Sequence, residues 1–327
     1  MNTDSDDLAT QERLVLTVPS VGGLAEVVQT LSDWQNDGSP WQLHPGDIGW
    51  FCRNGAETAA DAVRIWKTCS DIVAIGLLDG PNLLRLTTAP EVRGDQLLAR
   101  RLAADISNPD VGVLPASKVA VEAPGDAVVQ TFLAMEGWGA GEAFIPLHRD
   151  LSTSVEPSGI EVRTVVPSEA DSWARVLRSA FGTSSPTTSR WQAMVGSPVY
   201  GDAACLVGYD NGEPVAATSV WSAGPGRPGL IEPMGVHENF RGRGFGRAIT
   251  IAAAAVLQEM GSSSARVYTL SSNTGGIATY QAARFRALPL VRDMVRCSWT
   301  CPELAPGDTE VTGTADQSVT VLTNPAF

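Results

Sequence analysis

The chain has 327 residues, 43% of them hydrophobic and 18% charged, and a net charge of −13. That length suits two domains better than one, and the composition is that of a folded, soluble body. The acidic balance argues against nucleic acid, whose phosphates call for a basic face. It suits a cationic partner or simply serves solubility.

In chain order, residues 1–9 read as an acidic, disordered N-terminus without the features of a signal peptide. Arg13-Leu-Val-Leu-Thr-Val reads as a strand, as does Asn82-Leu-Leu-Arg-Leu-Thr-Thr. Pro90-Glu-Val-Arg-Gly-Asp then leads into a helix, and Lys118-Val-Ala-Val-Glu is a further strand. Residues 151–158, rich in Ser and Pro, read as a linker. Beyond them the pattern predicts strand 160–166, helix 168–181 and a short helix carrying Trp191 and Met194. Strands 203–209 and 214–222 follow, turning at Asp210-Asn-Gly212, a hairpin signal. Strand 229–236, helix 245–260 ending at Gly261, strand 265–271, helix 275–284 and a strand near 291–299 complete this half. Residues 304–327 read as a flexible tail.

The halves share a layout. Val15 matches Val162, Arg93 matches Arg241, Val119 matches Val267 and Trp138 matches Phe285, at offsets of 147 or 148 residues, read directly from the numbering. A tandem duplication of one α/β domain explains this, with domains at 10–150 and 159–303.

The duplicates differ at one loop. The second half reads Arg241-Gly-Arg-Gly-Phe-Gly-Arg between a strand and a helix, whereas the first reads Arg93-Gly-Asp-Gln-Leu-Leu. Glycines let the backbone approach an anion, and a helix N-terminus offers unpaired N–H groups. Asp95 and the bulky residues after it oppose that role, so the first half is expected to keep the fold and lose the ligand. A Rossmann fingerprint would need Gly at position 247, and a Walker loop would need Gly-Lys-Ser/Thr.

Arg241, Gly244 and Gly246, followed by Asn273, Tyr280 and Phe285, give residues 159–300 a close resemblance to the Gcn5-related N-acetyltransferase (GNAT) superfamily. These are its two acyl-CoA signatures, except that Arg284 stands where a Gly is usual. The resemblance implies two tandem domains, each a twisted mixed sheet flanked by helices, of overall α/β class. It implies acetyl-CoA as co-substrate, held by Met234, Val236, Arg241, Gly242, Arg243, Gly244, Phe245, Gly246, Arg247 and Asn273. It places the thioester oxygen on the Val236 N–H and makes Tyr280 the proton donor to the departing sulfur.

Acetyl transfer also needs a neutral amine, hence a base. Glu232, Met234 and Val236 share one strand face by the period of two. Glu232 is therefore either the base or one partner of a structural ion pair with an arginine, since an unpaired buried charge is costly. His237 is the next candidate, and Glu238 faces away. Trp191, Tyr200 and Trp221 are expected to wall the acceptor pocket together with the first half.

The resemblance therefore implies an N-acetyltransferase acting on a small-molecule amine, such as an antibiotic or an amino-sugar metabolite. The tandem layout is similar to that of the mycothiol synthases, which makes that activity the alternative. A non-catalytic acyl-CoA-binding regulator is the reading of another class. The five scattered cysteines and three histidines imply neither a metal site nor a disulfide framework, and the cysteines read mostly as buried small hydrophobes. The longest apolar run is too short to cross a membrane. A cytoplasmic monomer or homodimer with no membrane or nucleic-acid partner is expected.

Overall fold

The structure, a computed structural model, describes residues 14–69 and 71–297. The acidic N-terminus, Cys301 and the segment read as a tail lie outside the described residues. The first half forms β1 (Val15–Thr17), α1 (Leu24–Asp33), α2 (Pro45–Phe51), α3 (Ala56–Ala62), β2 (Val63–Lys67), β3 (Ile72–Leu78), β4 (Leu83–Thr88), α4 (Gln96–Ser107), β5 (Val119–Glu122), α5 (Val129–Met135) and β6 (Gly139–Asp150). The second forms β7 (Glu161–Thr164), α6 (Ala170–Phe181), α7 (Thr188–Val195), β8 (Ala203–Asp210), β9 (Glu213–Trp221), β10 (Gly229–Val236), α8 (Phe245–Glu259), β11 (Ser264–Leu270), α9 (Thr274–Ala282), β12 (Arg286–Ala287) and β13 (Val291–Arg296).

The two halves follow a similar layout in three dimensions. Each half runs antiparallel through its first strands and has one parallel pair, β4 with β5 and β10 with β11. The 3-10 turns Pro90–Val92 and Glu238–Phe240 sit at matching points before α4 and α8.

The halves do not keep separate sheets. The strand order is β1-β2-β3-β4-β5-β13-β6-β11-β10-β9-β8-β7, with β12 also on β6. Each half thus lends its last long strand to the other: β13 lies against β5, and β6 lies against β11 over Phe144–Asp150. The exchange closes the two edges that separate sheets would expose. It is a long-range pairing that local patterning cannot reveal.

Side chains follow the same logic. On α6, Trp173, Val176 and Leu177 fall on one face and are buried, and Gly182 (φ 63°) ends the helix in the left-handed conformation. A core shared by both halves joins Trp50 of α2 to Trp173, Leu177, Trp191 and Trp221. Gly46 and Gly49 let α2 lie directly on the Trp221 indole, since a Cβ at Gly49 would come within 2.4 Å of the ring. Among the cysteines described, Cys52 and Cys205 are buried, whereas Cys69 and Cys297 are exposed, against the expectation that most would be buried.

Candidate active site

The site begins where β10 and β11 part. They pair only at Gly229↔Ala265 and Leu230↔Arg266 and then diverge. A bulge between Ile231 and Met234 bends β10 away, and the carbonyls it releases are taken up by side chains. The Trp221 indole N–H donates to the Glu232 carbonyl at 2.8 Å, and the Thr218 hydroxyl donates to the Pro233 carbonyl at 2.8 Å. On the far side, the His237 N–H donates to the Val215 carbonyl of β9 at 2.9 Å. By the alternation of an antiparallel ladder, the Val236 N–H then points away from β9, into the gap.

Two adjoining cavities fill that gap. One, of about 650 Å³, is lined by β10, the glycine loop, the first turn of α8 and α9. The other, of about 620 Å³, is lined by Glu232, Tyr268 and Thr183 of the second half and by Arg85 and Phe144 of the first. Met234, Asn273 and Tyr280 line both.

The loop has the conformation its glycines allow. Gly242 (φ 75°) and Gly244 (φ 88°) are left-handed, and Gly244 caps α8 without any side chain, so the first N–H groups of α8 face the cavity uncapped. Gly246 serves a different need, because a Cβ there would come 2.9 Å from Thr279 Cγ2 and push α8 off α9. Arg241 donates to the Ala180 carbonyl at 2.6 Å and Arg247 to the Ala282 carbonyl at 3.0 Å. Both line the cavity, without a carboxylate partner among the described residues. Arg243 does not line it. It pairs with Asp210 at 2.9 Å and lies over Phe240 and Phe245. A dipole end, bare N–H groups and two arginines suit a pyrophosphate.

Asn273 is the N-cap of α9. Its Oδ1 accepts from the Gly276 N–H at 3.0 Å and its Nδ2 donates to Thr269 Oγ1 at 2.9 Å. Its side chain thus holds the cavity wall together. Tyr280 is 7% exposed and packs on Phe285. Burial, with the Glu232 carboxylate next, pushes its phenol up, so it stays protonated. Arg284 keeps the left-handed turn (φ 65°) that a glycine would adopt freely, and its side chain reaches Glu156 at 3.4 Å.

Glu232 turns out to sit in a cluster. Arg85 lies 3.0 Å from Asp79, 3.1 Å from Asp47, 3.5 Å from Glu122 and 4.0 Å from Glu232. Three carboxylates thus hold the guanidinium more closely than Glu232 does. Glu232 is also the most exposed of the four, at 18% for its side chain. Burial, opposed by Arg85 and reinforced by Asp47 and Asp79, pushes its carboxyl up to about 7. The ion pair expected as the competing explanation exists, but it is long.

These features coincide with a known pattern. Residues 171–285 match the model of the Acetyltransferase (GNAT) family. Over these residues the chain is similar to that family. A mycothiol acetyltransferase of Cellulomonas flavigena is 29% identical over 190 residues, 53% of this chain and 52% of that protein. One from Pseudarthrobacter chlorophenolicus is 28% identical over 146 residues, 42% of this chain and 45% of that protein. The chain thus spans about half the length of the curated relatives it matches. In fold it is similar to a tandem GNAT protein from the clavulanic acid biosynthesis pathway, with a TM-score of 0.58 at 15% identity, over 88% of this chain and 100% of that one. A GNAT acetyltransferase from Colwellia psychrerythraea gives a TM-score of 0.58 at 13% identity, over 86% and 98%.

Glu232, Met234, Val236, Asn273 and Tyr280 all line one or both of the two adjoining cavities. Three expected acceptor residues stand elsewhere. Trp191 and Trp221 are 4% and 2% exposed in the shared core, and Tyr200 packs edge-on against Trp221 with its hydroxyl on Cys205. The large apolar surface that suggested a pocket is spent on joining the halves. The first half supplies Arg85 and Phe144 instead, and Tyr268 stacks between Phe144 and Trp41. Only Arg85 had left a signal, as a charge inside the apolar run Leu83–Thr88.

Proposed function

We propose that the chain is an acetyl-CoA-dependent N-acetyltransferase acting on a small-molecule amine. The C-terminal domain (159–303) carries the chemistry, and the N-terminal domain (10–150) has lost the co-substrate. The observation that carries this reading is the pair of cavities joined at Met234, Asn273 and Tyr280, one beside the anion cradle and one beside Glu232.

The uncapped start of α8, with Arg241 and Arg247, would hold the pyrophosphate of acetyl-CoA, which brings an activated acetyl group to the gap. Glu232 removes a proton from the acceptor ammonium, and the neutral nitrogen attacks the carbonyl carbon. The Val236 N–H donates to the oxygen as negative charge builds there. As the C–S bond breaks, Tyr280 gives its proton to the thiolate and recovers one as the attacking nitrogen releases its second proton, while Glu232 returns its own to the solvent. Proton transfer of this kind contributes roughly 10²–10⁴-fold.

The acceptor cavity holds a carboxylate, and its one arginine is already surrounded by carboxylates. An amine without an anionic group nearby suits it best. The test is a screen of polyamines, amino sugars, aminoglycosides and cysteinyl glycosides with acetyl-CoA, following thiol release. No transfer to any of them, despite tight acetyl-CoA binding, would favour the regulatory reading. Acetylation of a cysteinyl glycoside alone would favour the activity named for the two mycothiol acetyltransferases, to which residues of this chain are 29% and 28% identical.

A further inference from the structure

Glu232 belongs to the C-terminal half, yet the charges that surround it come from the other half. Arg85 is on β4, Asp47 on α2, Glu122 on β5, and Asp79 follows β3. Arg53, from the turn after α2, acts on Glu232 from a further side and lies near Arg190 of α7. Tyr280 of α9 faces Glu232, and Tyr268 of β11 shares its cavity. The cluster continues across the exchanged strands. The register pairs Arg85 with Glu122, and Met294 with Val121, which puts Asp293 opposite Glu122. Exposed Glu142 on β6 comes last in this row and acts on Asp293.

We propose that Arg85 is a positioning residue for Glu232, acting across the boundary between the halves, and that Asp47, Asp79 and Glu122 set how much of its charge Glu232 receives. The proposal rests on the reading of Glu232 as the base. The geometry gives the reason. One guanidinium serves four carboxylates, three of them buried, and Glu232, half-buried, holds the outermost place at 4.0 Å. If Arg85 faced Glu232 alone, it would keep the carboxylate ionised and weakly basic. Shared among three closer competitors, it anchors Glu232 at the cavity wall without taking away its affinity for a proton. Burial and these neighbours hold Asp47 up at about 6 and Glu232 at about 7, and push Glu122 up as well. On this account the half without a co-substrate tunes the reaction it does not perform.

The experiment is a pH titration of the full-length protein labelled with carbon-13 at the glutamate carboxyls. The Glu232 resonance is identified as the one missing from Glu232→Gln. Asp79→Asn is nearly isosteric and removes one competitor, so Glu232 should titrate about one pH unit lower. Glu122→Gln should shift it the same way. Arg85→Met should shift it upward if the variant folds, and the two conservative variants keep the test valid if it does not. An unmoved Glu232 midpoint in both Asp79→Asn and Glu122→Gln, with unchanged melting temperatures, would overturn the proposal. Acetyl transfer without any shift would leave the proposed activity standing and sink the tuning. A clear shift with no transfer to any amine would support the tuning and sink the activity.

Discussion

The helices α4 and α8 begin at matching points of the two halves, and they satisfy their first N–H groups in opposite ways. At α4, the Asp95 carboxylate accepts from the Leu97 and Leu98 N–H groups at 2.8 and 3.1 Å. The helix supplies its own anion. At α8, Gly244 has no side chain, and the N–H groups remain for a ligand. The space beside them differs too. Arg93, the counterpart of Arg241, is buried and donates to the Gln42 side chain, which also accepts from Thr87 at 3.0 Å. Thr87 and Arg93 match Gly235 and Arg241, both of which line the open cavity. Gln42 therefore occupies the place where the second half keeps about 650 Å³; a void of about 10 Å³ remains beside it, and one of about 90 Å³ beside Asp95, Leu97 and Leu98 at the start of α4. The cap at α4 and the filling by Gln42 both supply local hydrogen bonds while the layout of the half stays the same.

The comparison can be broken outright by cutting the chain near Pro157. A fragment of residues 158–327 would lose β6 from the edge of β11 and leave β13 without β5. It should be aggregated or poorly soluble, as gel filtration would show. A monomeric fragment with the kinetics of the full chain would mean that the halves are independent.

Replacing residues of the working half by their counterparts sharpens the contrast. Tyr280→Phe copies Phe132, which stands at the same offset of 148 positions, and should lower turnover roughly 10²-fold while acetyl-CoA affinity by calorimetry stays nearly unchanged. Glu232 must lose its proton to act, so turnover should rise with pH through about 7. In Glu232→Gln that rising limb should vanish from the pH–rate profile.

Gly244→Asp copies Asp95 and puts a carboxylate where the phosphates would bind. Calorimetry should show acetyl-CoA affinity reduced at least tenfold, about 1.4 kcal/mol. Asp95→Gly should not create a second site, because Gln42 and Arg93 still fill the space. Two sites per chain would show that capping alone had silenced the first half.

The smallest effect belongs to Arg284→Gly, which copies Gly137. Gly137 (φ 86°) and Arg284 (φ 65°) form the same turn, but only the arginine is strained there. Its pair with Glu156 is largely exposed and contributes little. The variant should gain up to about 1 kcal/mol, seen as a slightly higher melting temperature.

The elements of the second half, the common layout of the two halves and the glycine loop before α8 were all legible in the sequence. They depend on local signals: periodicity, turn residues and the conformational demands of single glycines. The face shared by Met234 and Val236 was equally local, set by strand alternation, but the bulge between Ile231 and Met234 interrupts that alternation next to Glu232. Trp191, Tyr200 and Trp221 were assigned to the wrong surroundings, because composition cannot tell an aromatic that walls a pocket from one that joins two halves. The strand exchange, the Gln42 plug and the four carboxylates around Arg85 were decided by tertiary structure alone. Each joins residues tens to more than a hundred positions apart, through pairing and charge that no short stretch of sequence records.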